Sequence, residues 1–468
     1  MRPLLLLLAA ALTLPAHVGS PDVFFEGNAG PYPLYVTIRP PLVIPGTAEI
    51  EIRSSAPDLT ELRLTPTPLT GDGAKFAPTP DVAQRDPADP QFFRGTLWMM
   101  ASGSWQVRIA ANGARGAGKL SVPVPAVAQA TKQMDVPLGI ILAILGLILS
   151  AGVVSIAGAA ARESQLEPGT LPAPPQISRA RRTMAIASAI VIAALYLGNL
   201  WWTAEARAYD RYIFKPLTAT PTITNGLLRI ELSDPGWLTT RKIDDFLPDH
   251  GHLMHLYVVS LPNLDRAWHL HPGMTGPGLF EHDLPAMPAG RYAFYGDLVH
   301  ENGFPETITS EFTLATALPG APLTGDDSAG PTPAAAPGST TTRIVFDRDP
   351  AGYRARKPAS FRFRLVDEHG APARDMELYM GMPAHAAFLH RDRSVFAHVH
   401  PGGSVPMASL SLTAEAKANP HMLHHMGAIP PEVSFPYGFP KPGPYRIIVQ
   451  MKHSGSVEMA MFDVEVAP

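Results

Sequence analysis

The 468-residue sequence contains no cysteine. Disulfide frameworks, thiolate zinc sites, iron-sulfur clusters and cysteine-ligated copper sites are therefore excluded. A bound metal ion would have to use nitrogen, oxygen or thioether ligands. Long basic runs are also absent, and charged residues make up only 17% of a chain whose net charge is -4. No nucleic-acid partner is expected from this composition, because it offers no basic surface for phosphates.

Common catalytic motifs are missing as well. We find no nucleophile elbow, Walker loop, His-Glu-x-x-His motif or dinucleotide fingerprint in the required sequence context. The sequence therefore predicts a protein without enzymatic activity.

Two charge-free apolar runs, residues 136–161 and 183–204, are each long enough to cross a bilayer. The loop between them, residues 162–182, carries four arginines against two glutamates, so the positive-inside rule places it in the cytoplasm. Residues 1–20 have the pattern of a secretory signal peptide: Arg2, then an apolar stretch, then small residues. We expect a protein of the bacterial cytoplasmic membrane, anchored in the lipid bilayer, with both large regions on the periplasmic side.

The remaining sequence is typical of antiparallel β-sandwiches. Short runs of alternating apolar and polar residues are separated by proline and glycine, which is the pattern of half-buried strands joined by turns. A stretch rich in Pro, Ala and Gly over residues 315–342 predicts a linker. The predicted organisation is a mainly β protein of three small sandwiches of immunoglobulin or cupredoxin-like type, over residues 21–135, 205–314 and 343–468, with a two-helix transmembrane hairpin after the first.

Histidine is strongly skewed along the chain, since every histidine except His17 lies after Asp249. Comparison of the two regions after the second apolar run identifies a diverged repeat. Each half has an upstream His, a His-x-His-Pro triplet, a Gly-x-Tyr strand start and a later His, in the same order. The repeated histidines are His255, His269, His271 and His300 in the first half, and His385, His398, His400 and His453 in the second.

Strand geometry predicts that several of these imidazoles converge. Residues i and i+2 of a strand point to the same face, so His269 and His271 share one face, as do His398 and His400. A five-residue hairpin loop sets His255 opposite His271. In the second half, a two-residue turn sets His385 opposite the second histidine of its triplet. Each half is therefore predicted to hold a metal ion with three imidazoles, and His300 or His453 is the candidate fourth ligand.

Imidazole without thiolate suits copper, zinc or nickel, and copper is favoured by intrinsic affinity, with zinc as the alternative. Methionines close to the histidines strengthen the case for copper, because thioethers are ligands for Cu(I). The possible secondary ligands are Met380, Met382, His421, Met422, His424, His425 and Met426.

Two family resemblances follow from these motifs. The stretch from Leu253 to Leu314, with its Trp-His-Leu-His-Pro triplet, resembles a family of bacterial secreted and membrane-anchored proteins that carry a His-x-His-Pro hairpin. The second half, with Met380-Gly381-Met382, resembles the FixH and YtkA-like group of immunoglobulin-like extracytoplasmic domains. The resemblance implies a β-sandwich and a link to copper handling or oxidase maturation.

The sequence leaves three functional interpretations open. The first is a membrane-tethered protein that binds, sequesters or delivers copper and exchanges it with a protein partner. The second is an interaction scaffold of the cell envelope that binds no metal. The third is a metal-dependent oxidase, because His-x-His also occurs in cupin metal sites. The glutamate expected shortly after a cupin His-x-His is missing in both halves.

Overall fold

The computed structural model describes residues 22–131, 134–167, 169–238, 241–331, 342–418 and 429–468. The predicted signal peptide lies outside these residues. The described chain is mainly β and divides into two compact units. One unit is helical and covers residues 130–213, and the other contains all the sheets. The predicted fold class is confirmed.

The helical unit consists of two long apolar helices, α1 (Val136–Glu163) and α2 (Pro174–Tyr209), followed by a short 3-10 turn at Asp210–Tyr212. Both helices are long and apolar enough to cross a membrane. A proline lies in the first turn of each helix, where the missing N–H costs no hydrogen bond. Because Ala, Glu and Arg are strong helix formers, α2 continues through residues 205–209, which the sequence had assigned to the following sandwich.

The N-terminal sandwich has two sheets, of strand order β1-β2-β3-β7-β6 and β5-β4-β8-β9. Alternate residues of these strands fill one core, which includes Leu34, Ile50 and Val122. A 3-10 turn at Asp72–Lys75 follows the fourth strand. The strands are β1 (Val23–Ala29), β2 (Tyr32–Arg39), β3 (Gly46–Arg53), β4 (Leu59–Pro68), β5 (Asp81–Val82), β6 (Gln84–Arg85), β7 (Phe92–Met99), β8 (Gly103–Gly113) and β9 (Gly116–Ala126).

The first His-rich domain, residues 214–330, is a sandwich of the sheets β10-β11-β15-β14 and β17-β16-β12-β13-β18. Its core contains Leu256, Trp268 and Phe294. Its strands are β10 (Thr218–Thr224), β11 (Leu227–Ser233), β12 (His255–Leu261), β13 (Ala267–Leu270), β14 (Gly273–Gly276), β15 (Leu279–Asp283), β16 (Gly290–Val299), β17 (Pro305–Leu314) and β18 (Ser328–Gly330).

The predicted linker over residues 315–342 is wrong for its first half. Leu318 and Ala321 form bridges to the β15–β16 connection, and β18 pairs with β13 at the sheet edge. A three-residue edge strand is too short to give an alternating pattern, so the Pro, Ala and Gly content of this stretch indicated a linker instead. Residues 332–341 lie outside the described part of the chain.

The second His-rich domain, residues 342–468, is a sandwich of the sheets β19-β21-β25 and β20-β27-β26-β23-β24, with β22 paired to β26. Its core contains Phe361, Phe388 and Ile447. Its elements are β19 (Arg343–Asp347), β20 (Tyr353–Arg354), β21 (Ala359–Val366), β22 (Met376–Glu377), β23 (Ala384–His390), β24 (Phe396–Val399), α3 (Met407–Ser411), α4 (Ala414–Ala418), β25 (Glu432–Tyr437), β26 (Gly443–His453) and β27 (Ser456–Ala467).

The histidine-bearing sheets of the two repeats pack against each other. One separate cluster of buried side chains joins Tyr257 and Tyr295 of the first repeat to Leu389, Phe396 and Ile448 of the second. Odd-numbered residues of β12 and β13 face this cluster, and the intervening residues face the core of their own sandwich. The predicted histidine faces therefore meet inside one interface.

Candidate metal centre

Both histidine hairpins have the register predicted from the sequence. In the first repeat Leu256 pairs with Leu270, so that His255 lies opposite His271 at the next position. In the second repeat the neighbouring pair is Ala386 and Val399, which sets His385 opposite the second histidine of its triplet. These registers are set because each strand must bury its apolar face against its own sandwich core.

The first candidate metal group consists of His255, His269 and His271. One ring nitrogen from each lies within 4.8 Å of the others. His255 Nδ1 and His269 Nε2 are 3.2 Å apart. Two imidazole nitrogens bound to one tetrahedral ion at about 2.0–2.1 Å would be about 3.3 Å apart. The observed spacing therefore fits two ligands of one metal ion.

Fixed hydrogen-bond partners determine which nitrogen of each imidazole is free. His255 Nε2 donates to the backbone carbonyl of Asp249 at 3.0 Å, and a carbonyl can only accept. His269 Nδ1 donates to Gln450 Oε1 at 3.2 Å. His271 Nδ1 donates to Asp327 Oδ1 at 3.1 Å. Each neutral imidazole thus keeps its lone pair on the nitrogen that faces the group, as in protein metal sites.

The close pair His255 and His269 therefore brings two lone pairs together without a proton between them. Protonation of either ring would supply a hydrogen bond, but burial lowers the pKa of both imidazoles well below the ordinary value, and neighbouring histidines lower it further. His271 Nε2 is also buried and has no hydrogen-bond partner among the described residues. A cation at this point would satisfy all three nitrogens.

The second candidate group consists of His250, His385 and His400. His250 belongs to the first repeat, so this group crosses the interface between the repeats. His250 Nε2 lies 3.2 Å from His400 Nε2. His385 is fully buried, and neither of its ring nitrogens has a hydrogen-bond partner in the described parts of the chain. An uncharged imidazole with two orphaned nitrogens is costly to bury unless something binds it.

His398 lies between the two groups instead of completing the second one as predicted. Its ring centroid is 5.3 Å from that of His255 and 5.4 Å from that of His385. Its Nδ1 is 3.4 Å from a carboxylate oxygen of Asp297, and its Nε2 is buried without a hydrogen-bond partner in the described structure. The imidazoles thus form one continuous array across the interface, because both hairpins present their histidine faces to the same space.

His300 and His453 are not brought to either group, so the structure gives no support to a fourth ligand from these strands. His300 binds Asp245 Oδ1 at 2.8 Å through Nδ1 and Glu306 Oε2 at 3.0 Å through Nε2, which leaves no ring nitrogen free. His453 Nε2 is 2.7 Å from the hydroxyl of Thr342. His300 directly follows β16, and His453 is the last residue of β26.

The structure describes only two of the possible secondary ligands. Met380 and Met382 line a pocket beside His250, together with Met407, which the sequence analysis did not single out. The remaining candidates, His421, Met422, His424, His425 and Met426, lie outside the described residues.

Several supporting residues were missed from the sequence. Gln450 is fully buried; its Oε1 accepts from Tyr257 at 3.0 Å, and its Nε2 donates to Tyr379 at 3.2 Å. Asp327 contacts both His271 and His282, at 3.1 and 3.2 Å. Burial raises the pKa of Asp327, but these hydrogen bonds outweigh it and hold the pKa well below the usual range. For Gln450, the available signal was a single glutamine within the apolar run from Ile447 to Met451 of β26.

His250 is a further candidate ligand that was not among the predicted site residues. It occurs in the sequence Asp249-His250-Gly251-His252, which the repeat comparison left outside its aligned histidines. His252 stacks on His271 with ring centroids 4.0 Å apart and binds Asp326 Oδ2 at 3.1 Å. The dense local histidine content was the signal, but only the folded turn shows that His250 reaches the opposite repeat.

Comparison with known proteins assigns no activity. A family model described as a domain of unknown function, DUF8832, matches residues 342–468, the second His-rich domain. No curated protein matches the chain.

Solved structures show only distant likeness. The tetra-tandem repeat of a large adhesion protein is 10% identical, with a TM-score of 0.17, 90% of this chain covered and 71% of that one. A four-domain ectodomain fragment of ICAM-5 is 8% identical, with a TM-score of 0.16, 93% of this chain covered and 77% of that one. Salmonella alpha-2-macroglobulin reacted with methylamine is 10% identical, with a TM-score of 0.20 and 97% of this chain covered, but the chain spans only 24% of that protein.

The chain is thus a mainly β protein with two apolar helices and with buried histidine groups that could hold metal ions.

Proposed function

We propose that this chain is a membrane-anchored extracytoplasmic copper-binding protein that sequesters or delivers copper. The observation that carries this proposal is the 3.2 Å approach of His255 Nδ1 and His269 Nε2, whose protons are held on the opposite ring nitrogens. In the metal-free protein, the lone pairs of these two nitrogens face and repel each other. A bound cation would remove this repulsion. The second histidine group, which lies across the interface, supports the proposal in the same way, because His250 Nε2 and His400 Nε2 are also 3.2 Å apart.

Copper fits this ligand set better than other common ions. Both groups consist of imidazoles alone, and for nitrogen ligands intrinsic affinity rises through the divalent series to copper. Magnesium and calcium would need oxygen ligands. Zinc also accepts imidazole and is the alternative ion, so the test must compare the two.

The membrane setting supports a role in metal handling outside the cytoplasm. The two apolar helices can anchor the chain, and the arginines around their connection favour a cytoplasmic loop. Both His-rich domains would then lie on the periplasmic side of the bacterial cytoplasmic membrane. We further propose a protein partner there that donates or receives the ion.

Equilibrium titration of the full-length protein in detergent tests the proposal. We expect two equivalents of copper per chain, measured by competition with a chromophoric chelator and by elemental analysis after gel filtration. His269→Ala should remove the first equivalent and His385→Ala the second. His369→Ala is the matched control, because the side chain of His369 is 82% exposed and belongs to neither group.

Two results would contradict the proposal. Absence of copper binding to the wild-type protein would favour the metal-free scaffold interpretation instead. Preferential retention of zinc from an equimolar mixture with Cu(II) would replace copper by zinc as the physiological ion.

A metal-dependent oxidase is the second candidate, favoured by one observation. A cavity borders His255, His398 and His400, and its other walls include Val299 and Phe304. Such a cavity is the feature that a catalytic metal needs for substrate access. Dioxygen uptake by the copper-loaded protein in the presence of a phenolic electron donor would support this role. The role would be excluded if the wild-type protein consumed dioxygen no faster than the His269→Ala variant carrying the same amount of copper.

A further inference from the structure

Two matched turns lie at the rim of the second histidine group. Asp249–His252 and Tyr379–Met382 are each closed by two reciprocal backbone hydrogen bonds of 2.8 to 3.1 Å. His250 and Met380, at the second position of their turns, adopt left-handed backbone angles, with φ of 51° and 52°. Each turn ends three residues before the first histidine of its hairpin, which is His255 in the first repeat and His385 in the second. The repeat therefore carries two imidazoles in one turn and two thioethers at the equivalent positions of the other.

The thioethers of these turns line one surface pocket. Met380, Met382 and Met407 surround it together with His250, and the first residue of α3 supplies the third methionine. Its other lining residues are Pro248, Gly251, Gly381, Ala408 and Ser411. The described lining thus contains no charged side chain, and its only metal-binding atoms are three thioether sulfurs, one imidazole and one serine hydroxyl.

The pocket borders both the protein surface and the second histidine group, which it reaches at His250. Met382 and Met407 are partly exposed, whereas Met380 is only 7% exposed. His250 also lines the pocket, and its Nε2 is 3.2 Å from His400 Nε2. An ion held by the methionines would therefore be next to the first imidazole of the second group.

The ligand chemistry of the pocket selects the oxidation state of the ion. Neutral thioether sulfur is a soft ligand that binds Cu(I) well, and it adds little for Zn(II) or Cu(II). Methionine is also a common filler of apolar gaps. Two partly exposed methionines around an open pocket do not fill a core, which favours the ligand role over the packing role.

We propose that this methionine pocket is the acceptor site for Cu(I) and passes the ion to His250 and then to His385 and His400. The proposal rests on the copper-binding function proposed above. In the transfer, a copper–sulfur bond is exchanged for a copper–nitrogen bond, and the oxidation state of the ion does not change. No electron donor or acceptor is therefore required.

Stopped-flow transfer of Cu(I) to the full-length protein in detergent tests this route. Cu(I) is supplied anaerobically as its bicinchoninate complex, whose colour disappears as the protein takes the ion. Combined Met380→Leu, Met382→Leu and Met407→Leu replacement keeps the apolar volume and removes the sulfurs. We expect transfer to slow by about tenfold or more, as for loss of metal-positioning groups, with the number of imidazole-bound equivalents unchanged. Met100→Leu is the control, because Met100 is 60% exposed on the N-terminal sandwich.

Each outcome decides one question. Equal transfer rates for the wild type and the triple variant would overturn the acceptor site but leave copper binding intact. Failure of the wild-type protein to take Cu(I) at all would also overturn the acceptor site, and failure to bind Cu(II) as well would overturn the copper-binding function. Should the triple variant not fold, the single Met382→Leu and Met407→Leu variants apply the same criterion, because both side chains are partly exposed, and each should slow transfer by about threefold.

Discussion

Replacing Gln450 by leucine probes the arrangement of protons on which the first metal group depends. In the wild type, Gln450 Oε1 accepts from His269 Nδ1 at 3.2 Å and from the Tyr257 hydroxyl at 3.0 Å. Leucine has a similar volume but accepts no hydrogen bond. His269 would then be free to carry its proton on Nε2 and donate it to His255 Nδ1. The metal-free protein would gain a hydrogen bond at the point where a metal ion needs two lone pairs.

The expected effect on copper binding follows from this change. Loss of an outer-shell partner of a ligating histidine reduces metal affinity by about 10- to 100-fold, which corresponds to about 1.4–2.7 kcal/mol. In addition, the buried Tyr257 hydroxyl would lose its hydrogen-bond acceptor, which should lower the free energy of unfolding by about 1–3 kcal/mol. Gln450→Glu should restore most of the affinity, because a carboxylate still accepts from His269 Nδ1.

Competitive titration with a chromophoric chelator measures this loss for each copper equivalent. Gln106→Leu is the matched control, since Gln106 is a buried glutamine of the N-terminal sandwich that donates to the Pro68 carbonyl at 3.4 Å. The control should keep wild-type affinity. Wild-type affinity of Gln450→Leu for both equivalents would refute the reasoning about the His269 tautomer.

Three further predictions concern the stability of the fold and its dependence on pH and on bound copper. Gly403→Ala should destabilise the fold by about 1–3 kcal/mol in denaturant unfolding, because Gly403 has a φ of 120° and an added Cβ would lie 2.0 Å from the Phe24 carbonyl oxygen; an unfolding free energy equal to that of the wild type would contradict the close approach. Burial lowers the pKa of His300, but its hydrogen bonds to Glu306 and Asp245 outweigh burial and raise the pKa above the ordinary value. The stability that His300 contributes should therefore be complete below about pH 6.5 and should decline as the pH rises through its raised pKa. The unfolding free energies of wild type and His300→Gln should then converge at high pH. A constant difference across the pH series would show that the charge of His300 does not contribute. Copper at about 100 times its dissociation constant should raise the unfolding free energy by about 2.7 kcal/mol for each of the two occupied sites. Thermal unfolding with and without copper should show no such shift in the double variant His269→Ala/His385→Ala.

Much of the architecture could be predicted because it follows from local patterns. The alternation of apolar and polar residues determines which face of each strand is buried, and this also determined the register of both histidine hairpins. The apolar runs of α1 and α2 are similarly local signals. Placing His255 opposite His271 required only the position of the turn and the period of a strand.

The arrangement of the two histidine groups could not be predicted, because it depends on how the repeats pack. The sequence analysis treated each repeat as a separate three-histidine site. Instead, His250 crosses to the second repeat and His398 lies between the groups. Likewise, Gln450 supports His269 across the interface, over a sequence separation of 181 residues. No periodicity within one repeat reports contacts made with the other.

The role of Asp327 shows a different limit. Its segment is rich in Pro, Ala and Gly, which normally indicates a linker, yet it returns to the sheet edge and binds His271. Because the returning strand β18 has only three residues, its pattern is too short to be distinguished from an irregular loop.

Copper binding by the two histidine groups is tested most directly by an anomalous difference map at the copper edge from crystals of the copper-loaded protein. We expect one peak within bonding distance of His255 Nδ1, His269 Nε2 and His271 Nε2, and a second among His250, His385 and His400. A map without peaks at these histidines, or with copper only at surface residues, would contradict it.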